Sequence, residues 1–158
     1  MPLRALELPA GTAGRVWLGA MPGRLEPWPS FLAEARERGL QQVVCLNPLF
    51  EVERLSPEYA AAIATGGLPF DWTHLPMQDF GLAEVLADYI AAVDRVAGAV
   101  REGRVVMLHC AAGIGRTGTT AACLLKRLGA SAHVALMRVR EAGSNPESAL
   151  QRGLIERF

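Results

Sequence analysis

His109-Cys110-Ala111-Ala112-Gly113-Ile114-Gly115-Arg116-Thr117-Gly118 is the stretch on which the reading of this chain turns. The apolar run Val105-Val106-Met107-Leu108 leads into it and predicts a buried strand, and Thr119 to Leu128 predicts a helix after it. A loop between a strand end and a helix start presents unpaired backbone N–H groups at the positive end of a helix dipole. Such a loop binds dianions such as phosphate. A thiol in that environment is favoured as the thiolate. The stretch therefore sets a nucleophile in the floor of a phosphate cradle.

Outward from this loop, the pattern alternates. Residues 1–14 read as a lead-in with room for a short edge strand, and Val16 to Leu18 as a strand. Phe31 to Arg38 predicts a helix closed by Gly39, Gln42 to Leu46 a buried strand, and Pro57 to Thr65 an Ala-rich helix stopped by Gly66-Gly67. Phe70 to Leu75 predicts a strand and Leu82 to Arg101 a long amphipathic helix. Helices near 116–128, 132–141 and 147–157 finish the chain. Strands alternating with helices imply an α/β fold: a mostly parallel central sheet of four to five strands, helices on both faces, and the loop between the last strand and its helix. Ligands of such sheets bind beyond the carboxyl ends of the strands, where Cys110 sits.

The residues from His109 to Thr117 match the pattern H-C-x5-R-[S/T], and the chain resembles the cysteine-dependent protein tyrosine phosphatase superfamily, in its compact, atypical dual-specificity form. Arg15 to Gly23 is similar to the family's opening strand and turn, Met77-Gln78-Asp79-Phe80 to its general-acid loop, and Arg140 to Gln151 to its tail of an arginine, a glycine turn and a later glutamine. The resemblance covers nearly the whole chain and implies one catalytic domain over residues 1–158. It also implies a phosphomonoesterase acting through a cysteinyl-phosphate intermediate. Cys110 is the candidate nucleophile. The amides of Ala111, Ala112, Gly113, Ile114 and Gly115 are candidate phosphate donors, with Gly113 and Gly115 permitting the backbone angles this needs. Arg116 offers a planar fork that holds two oxygens at once. Thr117 can hydrogen-bond the sulfur, and the resemblance implies that His109 braces the loop backbone. Gln151, a candidate substrate-binding residue, and Asn145 resemble polar residues near the family's active site; the plainer readings are an exposed helix glutamine and a turn asparagine. Glu147 reads as a first-turn acid of the last helix.

A leaving alkoxide needs a proton, and Asp79 is the candidate donor. It lies on a loop bracketed by Pro76 and Gly81, which suits a fixed turn. The alternative for Asp79 is a turn or helix-cap aspartate. Asp71 reads as structural, Asp88 and Asp94 as solvated residues of a polar helix face, and His74 as a satisfied core or edge histidine. The large tyrosine phosphatases carry Trp-Pro-Asp at the acid loop and this chain does not, so a large lid closure is not expected.

The same glycines, Gly113, Gly115 and Gly118, also spell G-x-G-x-x-G, the dinucleotide-fold fingerprint. Only 40 residues follow Gly118, too few for the rest of such a domain, and no lysine precedes Thr119 for a Walker-type loop. Ala111, Ala112 and Ile114 stand where lysines would meet a second phosphate. The loop therefore argues for a singly phosphorylated protein or peptide: phosphotyrosine first, with phosphoserine and phosphothreonine as further candidates. Asn47 to Tyr59 is a candidate pocket rim with Phe50, Arg54 and Tyr59 as contacts, or an ordinary surface loop. A phosphoprotein-binding module without turnover, and a phosphatase of phosphoinositides or RNA 5′ ends, are the alternatives.

The 158 residues suffice for one well-packed domain, 51% are hydrophobic, and the net charge is zero. No basic surplus points to nucleic acid or an anionic membrane. No metal-ligand cluster and no cofactor motif is recognised. Three cysteines, one of them reactive, fit a reducing compartment. No apolar signal core or membrane span is visible, so the expectation is a cytoplasmic monomer. Cys45 and Cys123 read as small buried hydrophobes. The resemblance adds one sharper idea for Cys45: a disulfide with Cys110 that protects the nucleophile.

Overall fold

The computed structural model describes residues 3–158. Five strands form one sheet in the order β1-β2-β5-β3-β4. They are β1 (Arg4–Leu6), β2 (Arg15–Gly19), β3 (Gln42–Cys45), β4 (Asp71–His74) and β5 (Val105–His109). Among the described residues, only β1 runs antiparallel, at the edge beside β2. The four parallel strands are aligned so that Gly19, His109, Cys45 and His74 end side by side. Every loop that could carry chemistry therefore leaves the same edge, with β5 at its centre.

Helices α1 (Trp28–Arg38), α2 (Leu49–Leu55) and α3 (Pro57–Thr65) lie on one side of the sheet. Phe31, Ala35, Val43 and Met107 pack together there, beside Met21, Cys45, Val52 and Tyr59. The other side is covered by α4 (Leu86–Arg101), α5 (Gly115–Arg127), α6 (Ala132–Glu141) and α7 (Ala149–Arg157). Val44, Leu46, Val106 and Leu108 meet Val93, Leu124, Val139 and Leu154 in that core. The opposed faces follow from the period of two in β3 and β5. Helix α5 is buried through its whole first three turns, because it runs between the sheet and α4, α6 and α7.

The α/β architecture, the mostly parallel sheet and the helices on both faces are as the sequence predicts. Three details differ. The segment after Asn47 is a helix, α2, rather than a loop. Helix α4 starts at Leu86, because an antiparallel bridge between Met77 and Ala83 draws Leu82 and Ala83 into a hairpin. Helix α1 starts earlier, at Trp28, with a proline in its first turn. Among the described residues, no helix is long and apolar enough to cross a membrane.

Candidate active site

The loop from Cys110 to Gly115 is held open by its carbonyls. Cys110 O faces His109 Nδ1 at 3.2 Å. Ala111 O accepts from Met21 N at 3.2 Å and from Arg24 Nη1 at 2.9 Å. Gly113 O accepts from Arg4 and Ser144, both at 2.6 Å. Ile114 O accepts from Gly118 N and Asn145 N, and Gly115 O from Thr119 Oγ1. Among the described residues, no amide from Ala111 to Arg116 donates to a protein acceptor. A planar peptide points its N–H opposite its C=O, so turning the carbonyls outward aims the amides inward. Gly113 makes the curl possible: its φ is 76°, and a Cβ there would stand 2.5 Å from the Gly19 carbonyl. Gly118 packs against the Asn145 backbone, where a Cβ would stand 2.7 Å away. The spacing that imitates a dinucleotide fingerprint is thus accounted for by close packing.

Cys110 lies at the bottom of this loop, 3% exposed, and its Sγ accepts from Thr117 Oγ1 at 3.1 Å. His109 points to the opposite face of the sheet. Its Nδ1 can only donate to the Cys110 carbonyl, so Nε2 must accept, and Tyr59 OH is 2.8 Å from it. Trp72 Nε1 donates to Tyr59 OH at 2.9 Å, which completes a buried chain from Trp72 to the loop backbone. Burial holds the His109 imidazole down at about 3, well below its ordinary 6.5. It is a neutral brace.

Arg116 is 2% exposed. Its Nη1 donates to Glu51 Oε2 at 2.7 Å and to Met77 O at 3.1 Å, and its Nη2 to Glu51 Oε1 at 3.2 Å. Burial works to lower the guanidinium's pKa, but the bonds and charge of Glu51, with Cys110 and Asp79, outweigh it and the net shift is upward. Asp79 Oδ1 stands 3.7 Å from Arg116 Nη2, on a side chain 59% exposed. Its loop is a tight turn: Gly81 N bonds Gln78 O at 2.9 Å, and Phe80 takes φ 57°. Gln151, fully buried rather than exposed, ties this turn to the last helix. Its amide nitrogen reaches Gly81 O at 3.1 Å, and its oxygen accepts from Glu147 N at 2.9 Å. Asn145 Oδ1 accepts from Arg140. Glu147 stands before the cap Ser148 of α7, not in its first turn, and its carboxylate rests against Gly115.

The structure thus brings Cys110, Arg116, Thr117, the loop amides and Asp79 together. Besides those for Gln151 and Glu147, the expectations for Tyr59 and Cys45 change, and one functional residue is added. Tyr59 is not a rim residue; it is fully buried behind His109. Glu51 has no place in the sequence reading, yet it is the main partner of Arg116; only an acid at helical spacing from Arg54 hints at it. Cys45 does not face Cys110. Its side chain packs with Met21 and Tyr59 on one side of the sheet, while Cys110 packs with Val44 and Leu46 on the other. Burial also pushes the Cys45 thiol up to about 12. Strand alternation therefore separates the two sulfurs and removes the basis for a protective disulfide. Among the remaining residues, Asp71 pairs with Arg104, Asp94 with Arg127, and His74 Nε2 bonds Asn47 O. Among the described residues, no cluster of three or more His, Cys, Asp or Glu could hold a metal.

Compared with known families, residues 19–130 match the model described as Tc-R-P, polymorphic toxin system, DSP-PTPase phosphatase. The chain belongs to this family. The likeness extends to solved structures of phosphatases. A kinase-associated phosphatase with serine in place of its catalytic-site cysteine superposes with a TM-score of 0.84 at 19% identity, covering 100% of this chain and 94% of that one. The active form of Tk-PTP gives 0.71 at 26% identity, covering 98% and 95%. A human tyrosine phosphatase-like serine/threonine/tyrosine-interacting protein also gives 0.71, at 18% identity, covering 97% and 93%. At 18–19% identity these likenesses establish the fold. No curated protein matches the chain.

Proposed function

We propose that this DSP-PTPase family phosphatase hydrolyses phosphotyrosine in proteins through a phosphorylated Cys110. The observation that carries the reading is the outward anchoring of the loop carbonyls, which leaves the amides and Arg116 around one buried sulfur. In the first step the Cys110 thiolate attacks phosphorus, the P–O bond to the leaving group breaks, and Asp79 gives that oxygen its proton. In the second, Asp79 takes a proton from water, water attacks phosphorus, and the sulfur leaves with Thr117 Oγ1 donating to it. Arg116 and the amides hold the equatorial oxygens throughout and gain most as charge spreads over them. Glu51 occupies two guanidinium protons and fixes the plane of the rest.

A singly phosphorylated aromatic fits the surroundings. Ala111, Ala112 and Ile114 give the loop itself no cation for a second phosphate, and a cleft of about 640 Å³ beside Asp79 is walled by Leu49, Phe50, Pro76 and Leu82, with Arg54 and His74 also lining it. Phosphoserine and phosphothreonine are the further candidates. The whole chain acting as one domain is supported by the kinase-associated phosphatase spanning all of it. Three free cysteines support a reducing, cytoplasmic setting. The test is p-nitrophenyl phosphate hydrolysis from acidic to neutral pH, wild type beside Cys110→Ser, with vanadate, followed by phosphopeptides and phosphoinositides. Vanadate-sensitive turnover lost in the mutant and preference for phosphotyrosine peptides are expected. Preference for a lipid would overturn the substrate, and no turnover from folded, reduced protein would favour a phosphoprotein-binding module.

A further inference from the structure

The two ends of the chain outside the family-matched stretch meet behind the phosphate loop. Arg4, on the edge strand β1, sends Nη2 to Gly113 O at 2.6 Å and Nη1 to Ser144 Oγ at 2.9 Å and Ala142 O at 2.5 Å. Ser144, 2% exposed, accepts from Arg4 and donates its own proton to the same Gly113 oxygen at 2.6 Å. The result is a closed triangle of arginine, serine and carbonyl, joining positions 4, 113 and 144. The family match spans residues 19–130, so both Arg4 and Ser144 lie outside it. The approach is too close for a side chain at the neighbouring turn: a Cβ on Gly143 would stand 2.8 Å from Arg4 Nη1.

We infer that Arg4 and Ser144 are positioning residues that preset the phosphate loop by holding the Gly113 carbonyl on its outer side. The mechanism is peptide geometry. Gly113 C=O and Ile114 N–H belong to one planar unit and point in opposite directions. Fixing the carbonyl outward aims the Ile114 amide into the cradle. It also keeps a carbonyl dipole from facing a dianion. Gly113, at φ 76°, has no side chain to resist rotation of that unit, so the restraint must come from outside the loop. Arg24 does the same for Ala111 O at the surface, but with one exposed bond, where Arg4 and Ser144 supply two half-buried or buried ones. The guanidinium also feels the nucleophile: burial lowers the Arg4 pKa, and the charge of Cys110 works in the opposite direction.

The inference rests on the loop being a phosphate cradle, but its test needs no turnover. Full-length wild type, Arg4→Gln, Arg4→Lys and Ser144→Ala are titrated with inorganic phosphate, and protection of Cys110 from iodoacetamide gives the dissociation constant. A charge-assisted bond is lost in Arg4→Gln, so phosphate should bind roughly tenfold or more weakly. Arg4→Lys should recover part of the loss through one bond. Ser144→Ala, which leaves every charge in place and is the milder change for folding, should weaken binding by a smaller factor, roughly threefold. Tm measured alongside separates positioning from stability, since a purely structural role would lower Tm and leave the phosphate constant unchanged. Wild-type phosphate binding in folded Arg4→Gln, or in Ser144→Ala should Arg4→Gln not fold, would overturn the inference. Weakened phosphate binding in an enzyme that shows no turnover would uphold it and overturn the catalytic reading alone.

Discussion

The signature loop and the acid loop leave the same edge of the sheet and are built in opposite ways. The signature loop is anchored from outside at five of its carbonyls, by groups drawn from β1, the turn after β2, β5 and the turn between α6 and α7, as well as from α5. The acid loop is tied at its base, where Met77 N bonds Leu46 O and Arg116 donates to Met77 O, while its tip is closed by bonds within its own turn, by Gln151 on Gly81 O and by the 3.7 Å approach of Arg116 to Asp79. Cys110 is buried, and Asp79 is open to solvent. Under the proposed mechanism the difference separates two tasks. Binding a dianion needs donors that do not reorganise when charge arrives. Giving and then taking back a proton needs a group that reaches both the leaving oxygen and incoming water.

The comparison can be broken or sharpened by mutation. The largest effect is expected at the exposed loop. Asp79→Ala should lower kcat for alkyl or phosphotyrosine substrates by roughly 10²–10⁴ and much less for p-nitrophenyl phosphate, whose leaving group needs no proton. Equal losses on both substrates would mean that Asp79 is not the acid. Next comes the buried side. Glu51→Gln should cost roughly 10- to 100-fold in kcat/KM by loosening Arg116, with a matching loss of phosphate affinity. The exposed neighbour Glu53→Gln is the control, and equal behaviour of the two would remove Glu51 from the site.

The smallest effect is on stability against pH. His109 is held at about 3 in the fold against 6.5 in the free side chain. Below pH 6.5 the unfolded chain takes up a proton that the folded one refuses. The stabilising contribution is therefore complete above that pH and drains away as the pH falls toward 3. Urea midpoints of wild type should fall more steeply over this window than those of His109→Asn, and parallel curves would contradict the neutral brace.

Legibility followed the range of the interactions. Helix α3 and helix α6 were readable to the residue, because Pro57, the Gly66 turn and the Ser131 cap are local signals. The strand–loop–helix turn that holds Cys110 and Arg116 was readable because its residues are contiguous from His109 to Thr117. Helix α2 was not: it has seven residues, begins after Pro48 and lacks a side-chain cap. With it went Glu51, whose partner is 65 positions away and leaves no pattern in either segment. Tyr59 and Cys45 are hidden for a related reason. The inward turn of Tyr59 on α3 is set by its contact with His109, 50 positions away, and the face that Cys45 takes is set by the register of β3 with β5, a long-range pairing. Arg4 belongs to the same class: a basic residue in a lead-in segment, joined to the loop only by the folded sheet.

The central claim is that Cys110 carries the phosphoryl group. Rapid acid quench of wild type during turnover of a phosphotyrosine peptide, followed by peptide mass analysis, tests it most directly. The account predicts one added phosphoryl group on the peptide containing Cys110, absent in Cys110→Ser. Steady turnover with that peptide unmodified, or with the phosphoryl group on another residue, would contradict it.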